Sequence, residues 1–207
     1  FPEAQTVEVI AAKHLLYADV NYDEWFADEV ADVTGADFMH GYDKTDLFGP
    51  YDNITRGQVA VVLYNMAQKA GQAGDETLFE YSTTTGYKSF ADVDGTLYYG
   101  KAIAWAKQAG VVSGYDENTF GPDDKVTREQ FAKMLENYAK KFDKDYKAAD
   151  ADAYAEYTDA SSVDAWAGEA VAWAVSNKIM GQNTDVLSPL NSISRAEAGA
   201  MVVRYAK

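Results

Sequence analysis

Apolar residues recur along this chain at steps of three and four in six separate stretches. Three of them run Trp25, Glu29-Val30, Val33; Tyr98, Ala102-Ile103, Ala106; and Trp166, Ala170-Val171, Ala174, with Glu29 the one polar residue in the set. The other three run Val59, Val62, Leu63, Met66; Phe131, Met134, Leu135, Tyr138; and Ala198, Met201, Val202, Tyr205. That spacing gathers the apolar side chains on one face of an α-helix. The second set also has marked beginnings. Thr55, Thr127 and Ser194 stand at N-cap positions, and Gln58, Gln130 and Glu197 follow three residues on. Such a pair forms a capping box, in which each side chain satisfies a backbone N–H that the first turn leaves without a partner. Strand-like alternation is almost absent, the stretch 7–10 being too short to matter. The expected class is all-α with six principal helices, and residues 5–16 read as a weakly helical lead-in.

The helices come in pairs, and each pair sits in the same frame. An aromatic-x-Asp opens it: Tyr17-Ala18-Asp19, Phe90-Ala91-Asp92, Tyr157-Thr158-Asp159. A Thr/Ser-Arg starts its second helix: Thr55-Arg56, Thr127-Arg128, Ser194-Arg195. Between them lie Phe48-Gly49-Pro50, Phe120-Gly121-Pro122 and Leu187-Ser188-Pro189, each Pro six residues before its Arg. Three copies are therefore expected at 17–70, 88–141 and 156–207. A lead-in over 1–16 precedes them, and linkers over 71–87 and 142–155 separate them. The second linker is rich in Ala, Lys and Asp and reads as able to extend the preceding helix. Each first helix is expected to end in a Gly-bearing turn, with Gly41 and Gly114 in the first two copies and either Gly181 or Gln182 in the third. A unit of about fifty residues is near the size at which a core becomes insufficient, so the copies are expected to share one.

Charge narrows the choice of partner. Against 33 Asp and Glu there are 18 Lys and Arg, a formal charge of −15. That argues against general nucleic-acid binding and against adsorption to an anionic membrane. An anionic ligand is compatible only where Arg is gathered locally. The chain has no Cys, which removes disulfides, thiol nucleophiles and Cys-ligated zinc without fixing the compartment. No apolar run reaches the ~18–20 residues of a membrane span, and no secretory leader is read in it. Because it opens on Phe1 rather than Met, the chain is expected to be a segment of a longer or processed precursor.

The arginines are the chemical feature to follow. Arg56, Arg128 and Arg195 occupy the first helical position, where a cation opposes the helix dipole at a cost of a few tenths of a kcal/mol. Three occurrences suggest that something negative faces them. Either an anionic ligand does so, with Arg and free helix N–H groups as its donors, or an internal partner such as Asp19, Asp92 or Asp159. Those aspartates are otherwise expected to cap the first helices or order the turns. Trp25, Tyr98 and Trp166 share one position. Exposed, they would be platforms for sugar rings; on an amphipathic helix, core is the more usual place for them. Catalysis has thin support, since carboxylate pairs among so many acids arise by chance. His14 and His40 lack ligand partners at metal spacing, and the Asp-rich loops lack the calcium-loop pattern. No cofactor and no metal are expected.

Taken together, the aromatic-x-Asp, the following aromatic, the Gly turn, the aromatic-x-Pro and the Thr-Arg helix start resemble the S-layer homology (SLH) domain, three times in tandem. The resemblance covers most of the chain and is specific because five spaced features recur. It implies a pseudo-threefold, three-pronged spindle whose Arg-motif helices form a central three-helix bundle. It also implies a non-catalytic module, extracellular at the cell wall or S-layer, that tethers a surface protein to the bacterial envelope. Such modules bind secondary cell-wall polysaccharide, typically through a pyruvylated amino sugar, in grooves between copies. Carried over, the ligands to the ketal carboxylate are Arg56, Arg128 and Arg195, with Gly41 and Gly114 lining the grooves. Gln58, Gln130 and Glu197 at the helix starts and the rings of Trp25, Tyr98 and Trp166 complete the expected glycan site. Replacing all three arginines by Ala is expected to weaken wall binding and leave helicity intact.

The departures are Gly57-Gln58 and Glu129-Gln130 where the family favours Ala-Glu, and, in the third copy, Ser194, Leu187 and the slipped turn. The rival function is a protein–protein assembly module of a surface layer that binds no glycan. A polysaccharide hydrolase is a further alternative.

Overall fold

The computed structural model describes residues 16–74, 89–182 and 184–207. Among them are six α-helices: α1 Ala27–Gly35, α2 Arg56–Lys69, α3 Gly100–Ala109, α4 Arg128–Phe142, α5 Gly168–Ser176 and α6 Arg195–Ala206. A 3-10 turn, Ala160–Ser162, precedes α5. The described residues contain no strand, only three isolated bridges, so the all-α expectation is met. The expected helical lead-in and most of the first linker lie outside the described residues.

All three capping boxes form. Gln58 N–H donates to Thr55 Oγ1 at 3.3 Å while Thr55 N–H donates to Gln58 Oε1 at 3.1 Å, and the same exchange links Thr127 with Gln130 and Ser194 with Glu197. The first helices start later than the periodicity suggested. Their N-caps are Phe26, Tyr99 and Ala167, and the buried faces run Phe26-Val30-Val33, Tyr99-Ile103-Ala106 and Ala167-Val171-Ala174. These are i, i+4, i+7 stripes. Trp25, Tyr98 and Trp166 lie about 100° away from them around the helix and point outward, 56, 66 and 50% exposed. The usual core placement fails for those rings. Trp105 and Trp173, by contrast, are buried.

Each first helix is stopped by a left-handed residue, Asp37, Gly110 or Lys178, four positions before the expected turn glycine or nearly so. The next N–H then reaches back to the helix, as Phe38 does to Val33 O, Val111 to Ala106 O and Ile179 to Ala174 O, at 2.8–3.0 Å. These bonds satisfy carbonyls that the helix end leaves open. The glycines farther on serve a different need. A Cβ on Gly114 would stand 2.5 Å from both the Phe90 ring and Thr119 O. Gly41 meets Tyr17 and Gly181 meets Tyr157 in the same manner, so Gly181, not Gln182, is the third equivalent.

The copies interlock. The closest helix pairs are α2 with α3, α4 with α5, and α6 with α1, so each second helix covers the first helix of the next copy, and the last copy covers the first. Where α2, α4 and α6 begin, their preceding residues close a ring. Ile54 N–H donates to Ile193 O, Ile193 N–H to Val126 O, and Val126 N–H to Ile54 O, at 2.9–3.1 Å. At the other end of these helices, Met66, Tyr138, Phe142 and Tyr205 line one cavity, and Tyr138 meets Tyr205 edge-on. The three Arg-motif helices thus meet at both ends. Every fully buried Ile, Leu and Phe belongs to one continuous core, as units too small to stand alone require.

The second linker does not lengthen its helix beyond Phe142. It folds back so that Tyr146 Oη donates to Glu136 Oε1 at 3.0 Å, and Lys133 and Lys140 pair with the same wholly buried carboxylate.

Candidate functional site

Asp19, Asp92 and Asp159 neither cap a helix nor pair with an arginine. Each carboxylate receives two successive backbone N–H groups across its copy: Phe48 and Gly49 (2.8 and 2.7 Å), Phe120 and Gly121 (2.9 and 2.7 Å), Leu187 and Ser188 (2.8 and 2.7 Å). Two charge-assisted bonds fix the turn before the Pro. Its middle residue has positive φ, 69° at Gly49 and Gly121 and 51° at Ser188, which explains Gly in two copies.

The fixed turn presents carbonyls to the arginine of the preceding copy. Arg56 Nε donates to Phe120 O and its Nη2 to Ser113 O, both at 2.7 Å. Arg195 closes the cycle onto the first copy, with Nε to Phe48 O at 2.8 Å and Nη2 to His40 O at 2.7 Å. Backbone N–H groups at these helix starts follow the same path, Arg56 to Asp124 O, Gly57 to Pro122 O, Arg195 to Asp52 O and Ala196 to Pro50 O. What faces the cation at the helix start is therefore a set of carbonyl dipoles from the neighbouring copy. The two residues are buried, Arg56 at 7% and Arg195 at 5% exposure, and burial lowers their pKa from the usual value. Arginine stays protonated regardless.

Each of these guanidinium groups also lies on two rings. Arg56 faces Tyr115 and Phe120, both at 4.6 Å; Arg195 faces Tyr42 at 4.8 Å and Phe48 at 4.9 Å. Tyr42 and Tyr115 were missed in the sequence, although the dipeptides Gly41-Tyr42 and Gly114-Tyr115 repeat there. Tyr42 Oη donates to Asp52 Oδ2 at 2.7 Å, and burial followed by that bond pushes its phenol up.

Open grooves flank these cradles. At Arg195 a cavity of about 360 Å³ is bordered by Gly41, Tyr42, Gln58 and Tyr98. At Arg128 one of about 490 Å³ is bordered by Trp25, Gly181, Gln182 and Glu197. Both are within the range of small-molecule sites. In each, the arginine comes from one copy, the glycine turn and helix start from the next, and the exposed ring from the third. Arg56 is joined in the same way to Ser113 O beside Gly114, and Asp164, whose carboxylate accepts from Trp166 Nε1 at 3.1 Å, donates its N–H to Glu129 at the start of α4. The fold thus brings sequence-derived residues of all three copies together in the grooves at Arg195 and Arg128. One expectation is revised. The arginines are built into the joints between copies, so their removal is a structural perturbation as well as a chemical one.

Among the described residues, no group of three His, Asp or Glu gathers as a metal site. No helix of the described residues is long and apolar enough to cross a membrane.

A helical triplet closed in this way, with cationic joints opening into grooves, defines an interlocked surface module. The family profile for the S-layer homology domain matches residues 16–60, 89–132 and 156–198; the chain belongs to that family. Similar proteins include cell surface glycoprotein 1 of Acetivibrio thermocellus, 28% identical over 170 residues, covering 81% of this chain and 7% of that protein. The cellulosome-anchoring protein of the same organism is 28% identical over 170 residues, covering 82% of this chain and 35% of its own length. An endoglucanase of Bacillus sp. strain KSM-635 is 27% identical over 194 residues, covering 90% and 18% respectively. The chain spans about a third or less of these relatives. It is a cell-surface anchoring module of the S-layer type.

Proposed function

We propose that this module holds its parent protein to the bacterial envelope by binding an anionic secondary cell-wall polysaccharide, through a carboxylate such as the ketal pyruvate of an amino sugar, in the grooves between copies. The observation that carries this is the state of Arg56 and Arg195. Each is a nearly buried cation whose hydrogen bonds go to neutral carbonyls, and among the described residues no carboxylate forms an ion pair with it. A buried charge whose hydrogen bonds all go to neutral groups, with carboxylates nearby (Asp124 and Asp92 for Arg56, Asp52 for Arg195) but none in ion-pair contact, leaves a place that an anionic ligand fills. An exposed ring on the third copy supplies a face for a sugar, and the phenol of Tyr98 sits near Gln58 and Thr55 on the rim. Several modest sites on one polymer combine into firm attachment through effective concentration. The charge of −15 elsewhere opposes indiscriminate adsorption to polyanions. The reading is non-catalytic.

The test works on the ligand, because the arginines are also structural. The chain is co-sedimented with purified cell walls of its source bacterium before and after mild acid removal of ketal-linked pyruvate. Binding that disappears with the pyruvate is the expected result. Binding that persists would move recognition to another wall component, and absence of binding to untreated walls would favour an assembly module instead.

A further inference from the structure

One groove carries a second guanidinium. Resting on the anionic-glycan reading above, we propose that Arg204 makes the Arg128 groove a two-position site, which takes a sugar residue bearing two acidic groups, while the Arg195 groove reads only one. The symmetry of the copies isolates the residue. Asn65, Asn137 and Arg204 stand at one equivalent position on α2, α4 and α6. All three reach the same carbonyl just past the end of a first helix. Asn65 Nδ2 donates to Phe38 O at 3.1 Å, Asn137 Nδ2 to Val111 O at 3.2 Å, and Arg204 Nη1 to Ile179 O at 3.4 Å. That structural task needs only an amide. Arg204 performs it with one N–H of a forked, permanently charged group and keeps its other donors.

The added charge reaches the groove. Arg204 borders the 490 Å³ cavity together with Arg128, as Asn65 borders the 360 Å³ cavity together with Arg195. Its ion pair is loose: Nη2 lies 3.8 Å from Glu29 Oε1, beyond hydrogen-bond length, and the arginine side chain stays 30% exposed. Glu29 stands where the other copies have buried Ala102 and Ala170. It steers the guanidinium without occupying its protons.

The charged groups bordering the Arg128 cavity are Arg128, Arg204 and Glu197. Glu197 accepts from Arg128 Nη1 and from the Ser194 N–H, both at 2.8 Å, and so balances one of the two cations. The fork of Arg204 is left for a ligand. Around the Arg195 cavity the titratable neighbours of that arginine are His40, Tyr42, Asp43 and Tyr98, with no second Arg or Lys. A second acid on the sugar therefore gains a charge-assisted partner in one groove and none in the other. Trp25, at the edge of the Arg128 cavity, offers its face to the ring between the two acids.

The variant Glu29→Ala with Arg204→Asn reproduces the Ala and Asn of the other two joints, so it is expected to fold. The converse variant Asn65→Arg adds the cation to the Arg195 groove. Two probes are titrated: the methyl glycoside of a ketal-pyruvylated N-acetylhexosamine, with one acid, and the 1-phosphate of the same sugar, with two. NMR follows the Nε–H signals of Arg128 and Arg195, each hydrogen-bonded to a carbonyl. In the wild type the phosphate sugar is expected to bind roughly tenfold tighter than the glycoside at Arg128, the weight of one charged hydrogen bond, and without that advantage at Arg195. The advantage should vanish in the double variant and appear at Arg195 in Asn65→Arg. An arginine with a purely structural role would change the melting temperature and leave this ratio alone. Equal ratios in the two wild-type grooves, or an unchanged ratio in the folded double variant, overturns the second position while leaving the anionic-glycan reading intact. Absence of any shift at either arginine with both sugars refutes both.

Discussion

The aspartate opening each copy makes no hydrogen bond to an arginine, yet the cradle for the arginine depends on it. In Asp92→Ala the N–H groups of Phe120 and Gly121 lose an acceptor held at 2.9 and 2.7 Å. Hydrogen bonds to a charged group contribute roughly 1.5–3 kcal/mol each. The Phe120 residue is fully buried, so its N–H has no substitute, whereas Gly121 is partly exposed and can turn to water. Discounting the second bond accordingly leaves a loss of about 2–4 kcal/mol. For a chain of this size that lowers Tm by roughly 5–12 °C. Asp92→Asn should recover less than half of it, because the amide nitrogen presents a donor to one of the two donors. The same turn offers Phe120 O to Arg56, so the Arg56 Nε–H signal should also lose protection. Scanning calorimetry at neutral pH, with Asp94→Ala as control, reads the effect; Asp94 serves only its local turn with Thr96. A fall in Tm below about 2 °C for Asp92→Ala, or full recovery by Asn, would refute the role assigned to the carboxylate in holding this turn.

Arg195→Ala removes two bonds to carbonyls and the packing on Tyr42 and Phe48. It should cost roughly 3–5 kcal/mol, measured by urea denaturation, and an unchanged midpoint would mean that the joint is held elsewhere. Glu129 is buried, and burial, with the Asp164 carboxylate behind it, raises its pKa above the ordinary value of 4.5. The folded state therefore binds this proton more tightly than the unfolded state, and stability from this group declines as pH rises from 4.5 through the raised value. The Tm difference between Glu129→Gln and wild type should move in the variant's favour from pH 4.5 to 7; a constant difference across that interval contradicts it.

Much of the fold was legible because its signals are local. The capping boxes at Thr55, Thr127 and Ser194 form as their spacing implies, since both partners lie within one turn of chain. The identity of the buried ring was not legible. Trp25 and Phe26 are adjacent, and only the true helix start at Ala27 decides which of them continues the stripe of Val30 and Val33. The task of the aspartates was hidden for another reason: their partners are main-chain N–H groups some thirty residues away, which carry no side-chain signature. The arginine partners were still less visible, because a backbone carbonyl in the next copy looks the same in every sequence.

The pairing of α6 with α1 has a consequence for how such a protein is made. A ribosome delivers α1 well over one hundred and fifty residues before the helix that covers it, and contacts so distant in sequence close late. Until then the faces of Phe26, Val30 and Val33 have no lid, and the first copy has no finished core. The interlock of the three copies therefore completes only when α6 has been made and docks on α1.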